Sequence, residues 1–148
     1  MKNWTLLGLL CVAVPFSGCT YFGSFLICNF SGKNVTVTYR TKSPMSSMQL
    51  FSNAPSVFLA SFDGDEVVLA KDTLIPYELN RSLSIVIPSG YALKTGDDVN
   101  AWMHEEESYA DLEELSIVQD ADTSILTGSI LPSFVQELGD SYKGLVIQ

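Results

Sequence analysis

The chain reads as all-β: a single two-sheet β-sandwich, immunoglobulin-like, of about eight short strands, with one short C-terminal helix and a partly helical acidic insertion. Three observations predict this. Short runs of Val, Ile, Leu, Thr, Tyr and Phe recur along the chain, many at the interval of roughly 8 to 12 residues typical of sandwiches. Clusters of Gly, Pro, Asn, Asp and Ser separate them. Only two stretches suit a helix, and neither lies regularly between strands, which argues against an alternating βαβ architecture. A closed small barrel is the alternative for the same pattern. With 148 residues, 47% of them hydrophobic, the chain holds enough apolar material for one core and too little length for two.

The N-terminus is an export address. Lys2 precedes an apolar run from Leu6 to Val14, interrupted by Pro15 and followed by the small residues Ser17 and Gly18. The run is far short of the ~20 residues that cross a bilayer as a helix. The tetrapeptide Phe16-Ser17-Gly18-Cys19 resembles the lipobox of bacterial lipoproteins, with Phe16 where that family usually has Leu. The resemblance implies that the signal peptide spans residues 1–18 and that the Cys19 thiol is acylated, palmitate included, leaving Cys19 as the new first residue. Thr20 stands where an Asp would mark inner-membrane retention, so the resemblance implies an outer-membrane destination, facing the periplasm or the exterior. Several acyl chains, at about 0.8 kcal/mol per buried methylene, would make that anchoring effectively permanent.

Residues 19–24 form a short tether and residues 25–148 the folded domain. Of the three cysteines, Cys11 leaves with the signal and Cys19 is acylated, so Cys28 stays alone. It sits within Phe25-Leu26-Ile27-Cys28-Asn29-Phe30, where a small buried hydrophobe in a strand is the expected role. Were Cys19 not acylated, a bridge between Cys19 and Cys28 would be open.

The strands follow. Residues 25–30 lead through Ser31-Gly32-Lys33 into residues 34–40, whose Val35, Val37 and Tyr39 share one face, the pattern of a half-buried hairpin arm. Residues 56–62 and 66–70, joined at Asp63-Gly64, form a second hairpin. Residues 82–87 point Leu83, Ile85 and Ile87 inward and end at Pro88-Ser89-Gly90, after which residues 91–94 can return. Residues 115–119, 124–127 and 142–147 complete the set. The C-terminal helix is placed over residues 132–138, with Pro132 near its start and Gly139 just past its end. Residues 99–115 form the acidic insertion, whose apolar stripe is interrupted by Glu105, Glu106 and Glu107. Residues 41–55, carrying Met45, Met48, Leu50 and Phe51, show neither periodicity and either cap the core or present an adaptable apolar patch.

Charge gives the strongest clue to a functional surface. The formal net charge is -9 and the pI about 4.3, which argues against nucleic-acid binding, since phosphate contacts need clustered Lys and Arg. From residue 21 to 93 five basic residues balance five acidic ones; from Lys94 onward two basic residues face twelve acidic ones, eight of them between Asp97 and Glu114. That stretch also holds Trp102, Met103, His104 and Tyr109. Three readings compete: a solvated acidic surface with Trp102 and Tyr109 as inward anchors, a binding site for a basic protein partner, or a cation site. Trp102, Glu105, Glu106, Glu107 and Tyr109 are the candidate partner-binding residues. Neither Asp63-Gly64-Asp65-Glu66 nor Asp120-Ala121-Asp122 continues into the spacing of a known calcium loop, and no metal or cofactor is expected.

Catalytic constellations are missing. His104 is the only histidine, no Gly-x-Ser-x-Gly elbow occurs, and no glycine-rich phosphate loop is present. The expectation is a non-catalytic, lipid-anchored envelope module that acts through protein contacts. The alternative is a small carbohydrate-active or hydrolytic protein using the acidic insertion from Trp102 to Glu114.

Overall fold

The computed structural model describes residues 22–46, 49–69, 81–99 and 109–148. Ten strands follow one another: β1 (Phe22–Asn29), β2 (Val35–Thr41), β3 (Ser56–Asp63), β4 (Glu66–Leu69), β5 (Ser82–Ile87), β6 (Tyr91–Val99), β7 (Leu112–Gln119), β8 (Asp122–Leu126), β9 (Gln136–Gly139) and β10 (Tyr142–Ile147). They form two sheets, one of six strands in the order β4-β3-β6-β1-β10-β9 and one of four in the order β5-β2-β7-β8. Among the described residues the protein is therefore all-β, two-sheeted and nearly free of helix. The signal peptide, Cys19 and the tether up to residue 21 lie outside the described residues, as do residues 100–108 of the acidic insertion.

The main core lies between the sheets. Alternation sends Val35, Val37 and Tyr39 of β2, Leu83, Ile85 and Ile87 of β5, and Leu115 of β7 to meet Phe25 and Ile27 of β1, Leu93 of β6 and Leu145 of β10. An aromatic cluster fills one end: Phe25 lies 5.2 Å from Phe51 and 5.9 Å from Tyr109, and Tyr39 lies 5.4 Å from Phe51, all ring to ring. Met45, Leu50 and Phe51, from the long loop after β2, are buried here, so this loop closes the core. Its backbone is pinned as it enters: the Tyr39 hydroxyl donates to the Ser52 carbonyl at 2.7 Å, and the Ser52 hydroxyl donates to the Thr95 carbonyl at 2.7 Å. Met48 lies outside the described residues.

A second, smaller core sits on the other face of the large sheet. Leu26 and Cys28 of β1, Ala60 of β3, Val67 of β4, Ala92 of β6 and Leu138 of β9 form it. It is enclosed because the six-stranded sheet curls until its two edge strands, β4 and β9, come into contact. The small side chains of Ala60, Ala92 and Cys28 suit that tight curvature. The continuous apolar run from Phe25 to Cys28 has its cause here, since β1 is buried on both faces.

Two sequence expectations are corrected. Residues 25–30 and 34–40 do not form a hairpin: β1 pairs with β6 and β10, β2 with β5 and β7, and Ser31 to Lys33 crosses from one sheet to the other. Asn29 makes that crossing rigid. Its buried amide donates to the carbonyls of Lys33 (2.7 Å) and Ile87 (2.8 Å), while its carbonyl oxygen accepts from the Ser31 backbone (3.2 Å) and hydroxyl (2.7 Å). The C-terminal helix is the second correction. Leu131–Phe134 forms one 3-10 turn, with Pro132 in its first positions, and Val135 returns to extended backbone. Residues 136–139 are strand β9, because pairing with β10 sends Leu138 into the second core.

Cys28 is a free thiol in that second core. Burial pushes it up to about 12 from an ordinary value of 9.0, and burial likewise raises Tyr39. Above pH 9 the unfolded chain therefore releases these protons before the folded one does. The folded state then binds more protons, so stability falls as pH rises from about 9 toward 12, by up to about 1.4 kcal/mol per pH unit for each group. Urea unfolding at pH 8, 9.5 and 10.5 should show this decline, and Cys28→Ala should flatten part of it. Rapid alkylation of native Cys28 at pH 8 would contradict this burial.

Candidate functional site

Of the residues singled out by charge, Tyr109 is described and is fully buried, its ring edge-on to Phe25, in the place of an inward anchor. Trp102, His104, Glu105, Glu106 and Glu107 lie outside the described residues. The flanks of the acidic stretch are engaged locally. Asp97 receives a hydrogen bond from the Ser24 hydroxyl and an ion pair from Lys94 at 2.7 Å, and Asp111 accepts from the Ser43 backbone at 3.1 Å. Arg40 reaches Glu113 at 3.0 Å and Glu114 at 3.6 Å. These half-exposed pairs contribute little stability each, but they neutralise part of the acidic cluster. Elsewhere, Asp120 binds Lys33 and holds that ammonium in its charged form.

A concave feature among the described residues lies at the β8 edge of the small sheet. There β7 and β8 of the small sheet face β10 and the start of β9 across a cleft of about 550 Å3. That volume falls within the ordinary range of ligand clefts, roughly 300–1,000 Å3. Its origin is local. On the inward face of β8, Leu126 is followed toward the turn by Ser124 and Asp122, so two positions that would fill a sandwich core are short and polar. The sheets stay parted where those side chains are missing.

Ile117, Leu126, Leu145 and Ile147 give the cleft an apolar floor, and Gln119, Asp122, Ser124 and Gln136 place polar groups around it. Phe134, held by the 3-10 turn, stands beside it with 54% of its surface exposed, and Ile125 on β8 is 56% exposed. A large apolar side chain in water next to an apolar cleft makes this a place where burial by a partner is favourable, at about 25 cal/mol per Å2 of apolar surface covered. Among the described residues lining it, Asp122 is the one carboxylate and there is no cation. A single acid cannot supply the opposed pair that glycoside hydrolysis uses.

Sequence reasoning missed this site, whose lining comes from three separated stretches of ordinary residues. The signal that was present is the polar pair Asp122 and Ser124 in phase with Leu126, a break in the inward pattern of one strand. Among the described residues no group of His, Cys, Asp or Glu is arranged to hold a metal ion, and no helix is long and apolar enough to cross a membrane. Compared with known families, curated proteins and solved structures, the chain matches none at a significant level.

Proposed function

We propose that this protein is a non-catalytic β-sandwich module, anchored by lipid at Cys19 to the bacterial cell envelope, in the outer membrane, and acting through protein contacts made at the cleft between β7–β8 and β9–β10. The observation that carries the reading is the cleft itself: an apolar floor, flanked by the exposed Phe134, with one carboxylate, Asp122, in its lining. Such a surface suits a partner that brings aliphatic side chains and a cation. In this reading the two packed sheets serve, in the manner of immunoglobulin-like modules, as a scaffold for recognition.

Strand geometry supports the orientation. β1 begins three residues after Cys19 and runs alongside β10, with Ser24 opposite Tyr142 and Asn29 opposite Ile147. Ile147, which lines the cleft, therefore lies at the end of the sheet farther from the anchor. The acidic stretch with Glu105, Glu106 and Glu107 belongs to the same reading as a long-range attraction for a basic partner.

The test uses the full chain in its native membrane. A photo-crosslinking residue replacing Phe134 is expected to give a discrete protein adduct that Ser124→Trp, which fills the cleft, removes; the same residue replacing Val86, exposed on the outer face of the small sheet, gives none. Equal adducts at both positions, or none at Phe134, would refute the cleft as a contact site. Separately, Cys19→Ala is expected to abolish palmitate labelling and release the protein from membranes; a labelled Cys19→Ala protein would remove the anchor from the reading.

A further inference from the structure

Resting on that reading of the cleft, we infer that its partner is an extended peptide segment that pairs with the free edge of β8, adding a fifth strand to the small sheet and lowering an aliphatic and a basic side chain into the cleft. The edge is available. β8 closes one side of the order β5-β2-β7-β8, and among the described residues no strand pairs with its outer side. The large sheet hides its own edges by bringing β4 and β9 together, whereas β8 carries no proline, no lysine and no register shift, three of the devices that spoil an edge for pairing; its inward charge, Asp122, stands at the turn end of the strand.

The β7–β8 turn determines which backbone groups face outward. Asp120 and Ala121 form a two-residue loop, with Asp120 at φ 53°, and Gln119 stands opposite Asp122. In such a hairpin the residues flanking the loop exchange hydrogen bonds, and the pattern then alternates along the ladder. Asp122, Ser124 and Leu126 bond to β7, so Thr123 and Ile125 present their N–H and C=O groups to an incoming strand. An added strand keeps the same pleat, so its alternate side chains enter the cleft in line with Leu126, Ser124 and Asp122.

Those three positions specify the ligand. Beside Leu126 and the floor residue Leu145, an aliphatic side chain removes apolar surface from water. Four residues further along an antiparallel peptide, the side chain opposite Asp122 meets the one carboxylate of the lining, which Lys33, held by Asp120, reaches only at longer range, and this favours Lys or Arg. The recognised sequence is aliphatic, any, small, any, basic. Backbone pairing supplies affinity without regard to sequence, and the two cleft positions supply selection.

The probe is a nine-residue peptide of Thr and Val with Leu at its third and Lys at its seventh position, titrated against the full-length protein in detergent micelles by fluorescence anisotropy. Saturable binding is expected, weakened at least about tenfold by Ile125→Pro, which removes an outward N–H that β7 does not use. Asp122→Lys should weaken it similarly, and a peptide with Glu in place of its Lys should restore binding to that variant, a gain that a misfolded protein could not show. Binding lost in Ser124→Trp but unchanged in Ile125→Pro would overturn strand addition and leave the cleft reading standing, with a compact apolar ligand as its occupant. Absence of peptide binding together with concentration-dependent self-association that Ile125→Pro abolishes would replace the peptide by a second copy of this chain. No response to any of these changes would overturn both readings.

Discussion

Gly144→Ala is expected to destabilise the protein by about 3 kcal/mol or more, and to leave little folded chain at moderate urea. Gly144 lies opposite Leu26 where β10 runs parallel to β1, and a β-carbon there would fall within the van der Waals surface of the Leu26 backbone carbonyl. A flexible side chain could swing away from such an overlap. A backbone carbonyl in a central strand, buried on both faces, cannot, so the pair β1–β10 must part and both cores open with it. Gly32→Ala is the useful contrast. Nothing lies within 4 Å of a β-carbon at that position, and its cost, about 1 kcal/mol, comes from the positive φ of 79° alone. Urea denaturation of the two variants separates close approach from backbone strain; a Gly144→Ala protein within 1 kcal/mol of the parent would show that the strands are not held at this distance.

The second large effect is expected of Phe25→Ala, about 4 kcal/mol. Phe25 is fully buried and touches both Phe51, from the long loop after β2, and Tyr109, at the end of the acidic insertion. Its loss leaves a cavity that two stiff rings border and cannot collapse into. It also removes a contact that ties both long connections to the large sheet. Faster proteolysis within residues 41–55 should accompany the loss of stability. A variant that loses stability while keeping the parent's cleavage rate in this loop would show the loop to be fastened by its hydrogen bonds to Thr95 and Tyr39 instead.

Strands with one buried face were legible in the sequence, because the period of two is then written in residue type. Val35, Val37 and Tyr39, or Leu83, Ile85 and Ile87, declare both the strand and the face it buries. Pairing was much less legible. The short link Ser31-Gly32-Lys33 has hairpin chemistry, and what overrides it is non-local: Asn29 bonding to Ile87, and β10 claiming the edge of β1. The apparent helix at the C-terminus failed for a related reason. Pro132 and Gly139 are sound punctuation, but Pro132 opens a single 3-10 turn and Gly139, at φ 144°, serves the connection between β9 and β10. The cleft stayed hidden because depth arises from what Ser124 and Asp122 do not fill, which becomes visible only once the facing sheet is in place.

The parallel pairing of β1 with β10 bears on how the protein comes to be folded. The first and last strands of the described fold are neighbours at the centre of the large sheet, more than a hundred residues apart in sequence. Bringing them together costs loop-closure entropy before any contact between them is made, so contact order is high and folding falls in the slow range of β-proteins. Emerging from a ribosome, β1 has a vacant side until β10 has been synthesised, and the curl that encloses the second core cannot form earlier. The described fold is therefore complete only after β10 has been made, and until then the apolar residues of β1 lack one of their two neighbours.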